Sequence, residues 1–434
     1  MGKFLFVVPP FFGHLSPTLS VGNSLLEKGH QVAWTGLIPL SADIFPEGGH
    51  YFFPENELNE HAKEIERILK LQDEGPNLSV FEAAKLALED TAIPFAKIML
   101  NGVDAVIDAF QPDVIINDCL AFAGGLAAYR RGIPYVTTIP VPPDVAGKVE
   151  SKATEGHLSR ILNLQRSVGI ETDECVVFSP HLSLAFTSKE FAGINGFAGN
   201  IRFVGPVTGR PNNVPFDWER LSQTTNPKVY ATIGTLLVDI HKAFFSRLIE
   251  AFKDKPITII AATSPDILDN RPDNFIVRKF VPQTELMKHV DAVICHGGFN
   301  TVNEAISNGL PILITPIGYD HFHTANLIEK AGCGINIKYK RIKPEKLVRA
   351  MDELLTNPAY REAAEKMRKT FADAGGNKKA VEYLETFLQT SHFNDYDDQT
   401  EIILCRTTTP LERRPFKNSD NDYLSHIHKR KYTL

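Results

Sequence analysis

Two stretches of this 434-residue chain bring together the residue types that chemistry on a phosphorylated ligand needs. In the first, Asp291-Ala-Val-Ile-Cys-His296-Gly-Gly-Phe-Asn300-Thr301-Val-Asn-Glu304, an apolar run ends in His-Gly-Gly and a helical pattern starts at about Phe299. Gly297 and Gly298 let the backbone come close to a ligand. A helix start adds unpaired N–H groups and the positive end of its dipole, which together suit a diphosphate. His296, Asn300 and Thr301 supply side-chain donors at the same place, and Glu304, one turn further on, offers a carboxylate to ribose hydroxyls. The blander alternative is an ordinary glycine-rich βα turn followed by a helix-surface glutamate. The combination of His, Asn, Thr and Glu at these spacings favours a ligand site.

The second stretch is Phe11-Phe12-Gly13-His14-Leu-Ser16-Pro17, between a first strand and a first helix. Pro17 suits a first helical turn and Ser16 a cap, which places His14 on the loop before the helix. An imidazole that titrates near neutrality is a natural base for taking a proton from a hydroxyl, and it gains from a carboxylate that fixes its tautomer. Asp118, directly after the apolar run Val114–Ile116, is the candidate partner, whereas Asp113 precedes that run and belongs at the opposite end of the strand. Gly234-Thr235 closes another strand and can donate backbone and hydroxyl hydrogen bonds to a phosphate.

Competing signals are weaker. Asp395-Tyr-Asp397 and Asp420-Asn-Asp422 imitate a metal-holding Asp-x-Asp pair, but both lie in a charged C-terminal tail and read as solvated charge. His321-Phe-His323 lacks the nearby Cys or further His that a metal site needs. No Gly-x-Gly-x-x-Gly follows the first strand and no Gly-x-Ser-x-Gly elbow occurs, against a nicotinamide dehydrogenase and an α/β-hydrolase.

The elements that must position these residues alternate between short β-rich runs and helical patterns. Strands are expected at 4–8, 31–35, 113–116 and 135–139, then, after a break, at 229–233, 257–261, 275–278, 292–295 and 312–315. Helices are expected between them, including 17–28 and 120–130. The result is an α/β protein of two doubly wound, Rossmann-like domains: 1–205, a Gly/Pro/Asn-rich linker at 206–225, and 226–375. An amphipathic helix at 376–390 and a polar tail at 391–434 follow, the tail reading as an irregular extension in which 402–405 could add a strand. Mostly helical residues 56–110 read as an elaboration over the sheet edge, and 141–180 as a less regular cap. Two such domains face each other across a cleft at the carboxyl ends of both sheets, where ligands bind.

Composition narrows the class. A net charge of −6 argues against nucleic acid as a partner. Five cysteines without a Cys-x-x-Cys spacing read as a reduced, cytoplasmic protein. The N-terminal apolar run is too short for a secretory signal and is better a first strand, and no run is long enough for a transmembrane helix.

Phe280-Val281-Pro-Gln283 lies thirteen residues before His296, if counted from Gln283. Followed by the His-Gly-Gly-Phe-Asn-Thr-x-x-Glu block, Gly309-Leu-Pro and Asp320-His321, it resembles the donor-binding signature of family one glycosyltransferases, enzymes of the GT-B fold. The resemblance covers about residues 1–390. It implies that Phe280 and Val281 frame a uracil with Gln283 nearby, that His296, Gly298, Asn300 and Thr301 hold the diphosphate, and that Glu304 holds the ribose. It also implies that Gly234 and Thr235 assist at the phosphates, that Asp320 and His321 lie beside the hexose, and that His14 and Asp118 form the catalytic pair. The signature often has Trp in place of Phe280 and Gln in place of His321, so the base platform and the sugar contacts differ here. The expected activity is inverting transfer of a hexose, glucose foremost, from a UDP-sugar to a hydroxyl of a small lipophilic acceptor contacted by Phe11 and Phe12, with no metal or other cofactor. Two alternatives stay open: a UDP-sugar epimerase of the same fold, and a non-catalytic nucleotide-sugar-binding protein.

Overall fold

The computed structural model describes residues 1–71, 80–143, 156–193, 200–207, 214–234, 238–268 and 271–394. Two parallel sheets organise it. The first is built from β1 (Lys3–Val7), β2 (Gln31–Thr35), β3 (His50–Phe52), β4 (Val114–Asp118), β5 (Tyr135–Ile139), β6 (Ser183–Ala185) and β7 (Ile201–Phe203), in the order β3-β2-β1-β4-β5-β6-β7. The second is built from β8 (Lys228–Thr232), β9 (Thr258–Ala262), β10 (Phe275–Arg278), β11 (Ala292–Cys295), β12 (Ile312–Ile314) and β13 (Gly334–Asn336), in the order β10-β9-β8-β11-β12-β13. Helices cover both faces, so the central strands read as nearly continuous apolar runs: β4, Val-Ile-Ile-Asn-Asp, is buried at every position.

The strand order reverses between β1 and β4 in one sheet and between β8 and β11 in the other, and a crevice opens at the carboxyl end of a doubly wound sheet at such a reversal. Register carries the candidate residues there. Val7 pairs with Asn117, so Asp118 is the next residue at the end of β4, and Thr232 pairs with Cys295, so His296 leaves the sheet beside the turn after β8.

Several elements differ from the sequence expectation, each for an identifiable reason. The first helix spans Phe12–Glu27, five residues earlier than Pro17 suggests. Phe11, with extended φ/ψ of −125°/121°, caps it, and its carbonyl accepts from Leu15 N at 3.0 Å. His14 therefore stands in a first helical turn rather than on a loop, Ser16 is no cap, and Pro17 lies inside the helix. Helix Ile93–Phe110 is not a peripheral elaboration: it is the crossover into β4, burying Phe95, Met99, Val103 and Val106 under the first sheet. The expected linker 206–225 contains a helix, Trp218–Gln223, that belongs to the second unit: Leu221 is buried in that unit's core and Arg220 Nη2 donates to the Asp273 carbonyl at 2.7 Å. The cap expected at 141–180 contains helix His157–Ser167, while 144–155 lie outside the described residues, as do 395–434 and with them the expected strand at 402–405.

The last helix runs from Gly376 to Asn394, four residues past the expected end. It returns to the first sheet, where Ala380, Val381, Leu384 and Leu388 are buried with Phe4, Phe6 and Leu25. In the other direction Phe191, which follows β6, enters the second unit's core, stacking on Phe299 at 6.3 Å and meeting Phe371 edge-on at 5.5 Å. Each half thus places an apolar element in its neighbour's core.

Leu384 is fully buried at this junction. Leu384→Ala should cost about 2–5 kcal/mol, the usual cost of a large-to-small change at such a site. Urea unfolding should show a lower midpoint; an unchanged midpoint would mean that the returning helix contributes little.

Candidate active site

The first half of the site is a buried carboxylate and an imidazole. Asp118 is fully buried, and its oxygens lie 2.9 and 3.0 Å from His14 Nδ1; Oδ1 also accepts from Leu120 N at 2.8 Å. A buried charge persists only where such donors compensate its lost water. Since the carboxylate only accepts, it fixes the proton on Nδ1 and leaves Nε2 as the basic nitrogen. Burial alone would lower the His14 pKa. The Asp118 carboxylate, through its charge and its hydrogen bond, with Asp320 adding from the other domain, more than offsets that effect and holds the pKa above 6.5. Asp113 lies at the far end of the sheet, accepting from Lys3 N at 2.8 Å.

His14, Asp118 and Cys119 place potential metal-ligating atoms within 4.8 Å of one another. The hydrogen bond from His14 Nδ1 to Asp118, with Cys119 next in the chain, accounts for the proximity.

Phe11 and Phe12 are half-buried against the first core, with the Phe11 ring 5.9 Å from His14 and 6.3 Å from Phe95. They form an apolar wall beside the imidazole.

The second half gathers around His296. Its ring is nearly buried between two glycines: a Cβ on Gly298 would lie 2.6 Å from Nε2, and one on Gly234, where φ is +72°, 2.9 Å from Cε1. Any side chain at either position would displace the imidazole. Burial, with His241 nearby, pushes the His296 pKa down to about 4, and its buried Nδ1 has no hydrogen-bond partner among the described residues. Near neutral pH His296 is therefore an uncharged donor or acceptor. His321 meets it edge-on at 4.5 Å and is likewise held well below 6.5 by burial. Its Nδ1 accepts from Gly318 N at 3.3 Å, so only Nε2–H remains for a ligand. That is one hydrogen bond fewer than the sequence alone allows this ring.

Gly298 caps helix Phe299–Ser307, so Asn300 and Thr301 stand in its first turn, where backbone N–H groups have no intrahelical partner. Asn300 Nδ2 reaches the other domain, donating to the Gly13 carbonyl at 2.7 Å. Glu304 is half-buried and its pKa is raised by burial to about 7, opposed by a hydrogen bond from Gln283 Nε2 at 2.8 Å. Tyr230 OH, which the sequence does not mark out, donates to Gln283 Oε1 at 2.8 Å and orients that amide. Phe280 is half-buried, with Lys279 Nζ over its ring at 5.2 Å, but the Val281 side chain faces the core, leaving its backbone as the part able to frame a base. Asp320 leads into helix His321–Ala331; burial raises its pKa to about 6, with His14 acting against the rise. Tyr319 before it has φ +53°, a conformation non-glycine residues seldom adopt, at the turn that aims Asp320. Thr235 lies outside the described residues.

Two facing Rossmann-like units, with a His–Asp pair at one reversal point and an anion-suited helix start at the other, define the GT-B architecture. Residues 249–386 match the family described as erythromycin biosynthesis protein CIII-like, C-terminal domain. The chain is 24% identical to the NDP-glycosyltransferase YjiC of Bacillus subtilis (strain 168), over 88% of this chain and 96% of that protein. Among solved structures it is similar to the calicheamicin glycosyltransferase CalG4, with a TM-score of 0.69 and 21% identity over 90% of this chain and 98% of that one. It is also similar to the spinosyn rhamnosyltransferase SpnG complexed with thymidine diphosphate, with a TM-score of 0.66 and 19% identity over 89% and 100%. The chain thus has the GT-B fold and resembles family one glycosyltransferases over most of its length. No helix among the described residues is long and apolar enough to cross a membrane.

The Asp118 charge raises the His14 pKa, so removing it must lower that pKa. In an NMR titration His14 should titrate above 6.5 in the wild type and at lower pH in Asp118→Asn. An identical midpoint in both would contradict the assigned pair.

Proposed function

We propose that the chain transfers a hexose, with inversion, from a UDP-sugar to a hydroxyl of a small lipophilic molecule. The observation that carries this reading is the His14–Asp118 pair, buried against an aromatic wall and facing a helix start suited to a diphosphate. His14 Nε2 takes the acceptor's hydroxyl proton, and Asp118 stabilises the resulting imidazolium. The acceptor oxygen attacks the anomeric carbon as the bond from that carbon to the phosphate oxygen breaks. UDP departs with the electron pair, its charge met by the Phe299–Ser307 helix start, Thr301 and neutral His296 rather than by a metal. An epimerase has no use for an apolar acceptor wall, and a non-catalytic binding protein none for a base, which favours transfer over both.

Uridine is favoured over thymidine by Glu304. A carboxylate steadied by Gln283 and Tyr230 offers its remaining lone pairs to a ribose, and a deoxyribose lacks the 2′-hydroxyl to use them. Glucose is the favoured sugar by resemblance, with galactose and an N-acetylhexosamine as the alternatives; Asp320 accepts from ring hydroxyls and His321 Nε2–H donates to one. The acceptor is a hydroxylated lipophile because Phe11 and Phe12 line its side of the cleft. No disulfide joins the described cysteines, in keeping with action in the reducing cytoplasm.

Mass spectrometry of transfer to a panel of phenols, terpenoids, macrolides and carotenoids, with excess chelator present, tests the reading. UDP-glucose should outperform dTDP-glucose by ~5–150-fold, the worth of one well-placed hydrogen bond, and Glu304→Ala should erase that ratio. Activity lost to chelator and restored by magnesium or manganese would overturn the metal-free step, and a preference for dTDP-glucose would overturn the base assignment.

A further inference from the structure

In helix Phe12–Glu27 the N–H of residue 17 would ordinarily donate to the carbonyl of Gly13. Proline has no N–H, and its ring pushes the carbonyl four residues back away from the helix axis. Pro17 therefore leaves an unclaimed acceptor one residue before His14. That acceptor is claimed from the other domain: Asn300 Nδ2 donates to Gly13 O at 2.7 Å. Three residues further along the same helix, buried Asn303 Nδ2 donates to the Phe186 carbonyl at 3.1 Å, and Phe299 stacks on Phe191. Positions three apart share a helix face, so the helix whose start is suited to the diphosphate is docked on the first domain along that face.

We infer that Pro17, Gly13 and Asn300 form a latch that sets the position of His14 relative to the bound donor. This rests on the reading of His14 as the base and of the Phe299–Ser307 helix start as the diphosphate site. The Asn300 amide carries two N–H groups. One is spent on Gly13, and the other is available to a phosphate oxygen, so a single side chain ties the donor to the turn that carries the base. Asn300 is then a positioning residue as well as a donor contact, and Pro17 acts only by keeping the Gly13 carbonyl open. An alanine at position 17 would let the helix close its own bond and draw that carbonyl back from Asn300.

A double-mutant cycle on kcat, with both substrates saturating and UDP affinity measured by calorimetry, tests the latch. Pro17→Ala should lower kcat by ~3–10-fold, the worth of one net hydrogen bond, while leaving UDP affinity unchanged. Asn300→Ala should lower kcat and weaken UDP binding. In the Asn300→Ala background Pro17→Ala should have no further effect, whereas in Asn303→Ala it should keep its full effect, since Asn303 bonds elsewhere. Effects that multiply in the Asn300→Ala background, or a wild-type kcat in Pro17→Ala, would overturn the latch. If Asn300→Ala does not fold, Asn300→Asp, which turns an oxygen toward the Gly13 carbonyl, should show the same loss of additivity. If the wild type transfers no sugar, the proposed activity falls, and the same cycle read on thermal stability still decides whether the bond exists.

Discussion

A base on one domain and a leaving-group site on the other can cooperate only if two independent sheets hold them in reacting register, since misplacement by about an ångström costs orders of magnitude in rate. That constraint explains much of what surrounds the site. Each half of the proposed chemistry sits at the reversal point of its own sheet, where the β1–β4 and β8–β11 pairings fix the exit of each strand. The halves are then joined by elements that cross between them. Phe191 of the first lies in the core of the second, the helix Gly376–Asn394 returns to the core of the first, and Asn300 and Asn303 bond across. A domain pair held only by a linker would leave the distance between His14 and the opposite helix start to chance.

The electrostatics of the halves differ in sign and purpose. Around His14 a buried carboxylate favours the cation, so the imidazole is poised to hold a proton once it has taken one. Around His296 burial opposes charge: that imidazole is pushed down to about 4, His321 is held well below its usual range, and the Glu304 and Asp320 carboxyls are raised to about 7 and 6. A pocket of this kind offers oriented dipoles and N–H groups, with both imidazoles uncharged near neutral pH. Such a pocket suits a diphosphate that brings its own charge and must leave again when transfer is complete.

The glycine-rich turn after β11 is legible in the sequence because His, Asn, Thr and Glu at those spacings favour a ligand site over an ordinary βα turn. Nine of the thirteen strands among the described residues announce themselves by short apolar or β-branched runs. The missed ones, β3, β6, β7 and β13, are three residues long and, unlike the equally short β12 with its Ile-Leu-Ile run, each contain a polar residue; three of them are sheet edges. Pro17 misled for a physical reason: proline is usual in a first turn, yet here a helix begun at Phe12 tolerates it because the lost bond is replaced from the other domain. Tyr230 behind Gln283, and Asn303 against Phe186, depend on contacts between residues far apart in the chain, which local pattern cannot reveal.

In the proposed reaction labour is divided, with His14 serving the acceptor and the second domain holding the donor. Calorimetry of UDP binding to His14→Ala, paired with its transfer rate, tests it most directly. UDP affinity should stay close to wild type while transfer falls by ~10²–10⁴-fold, the usual worth of a positioned general base. Affinity that collapses together with turnover would make His14 a donor ligand, and a variant that keeps its rate would remove it from the chemistry; either result contradicts the account.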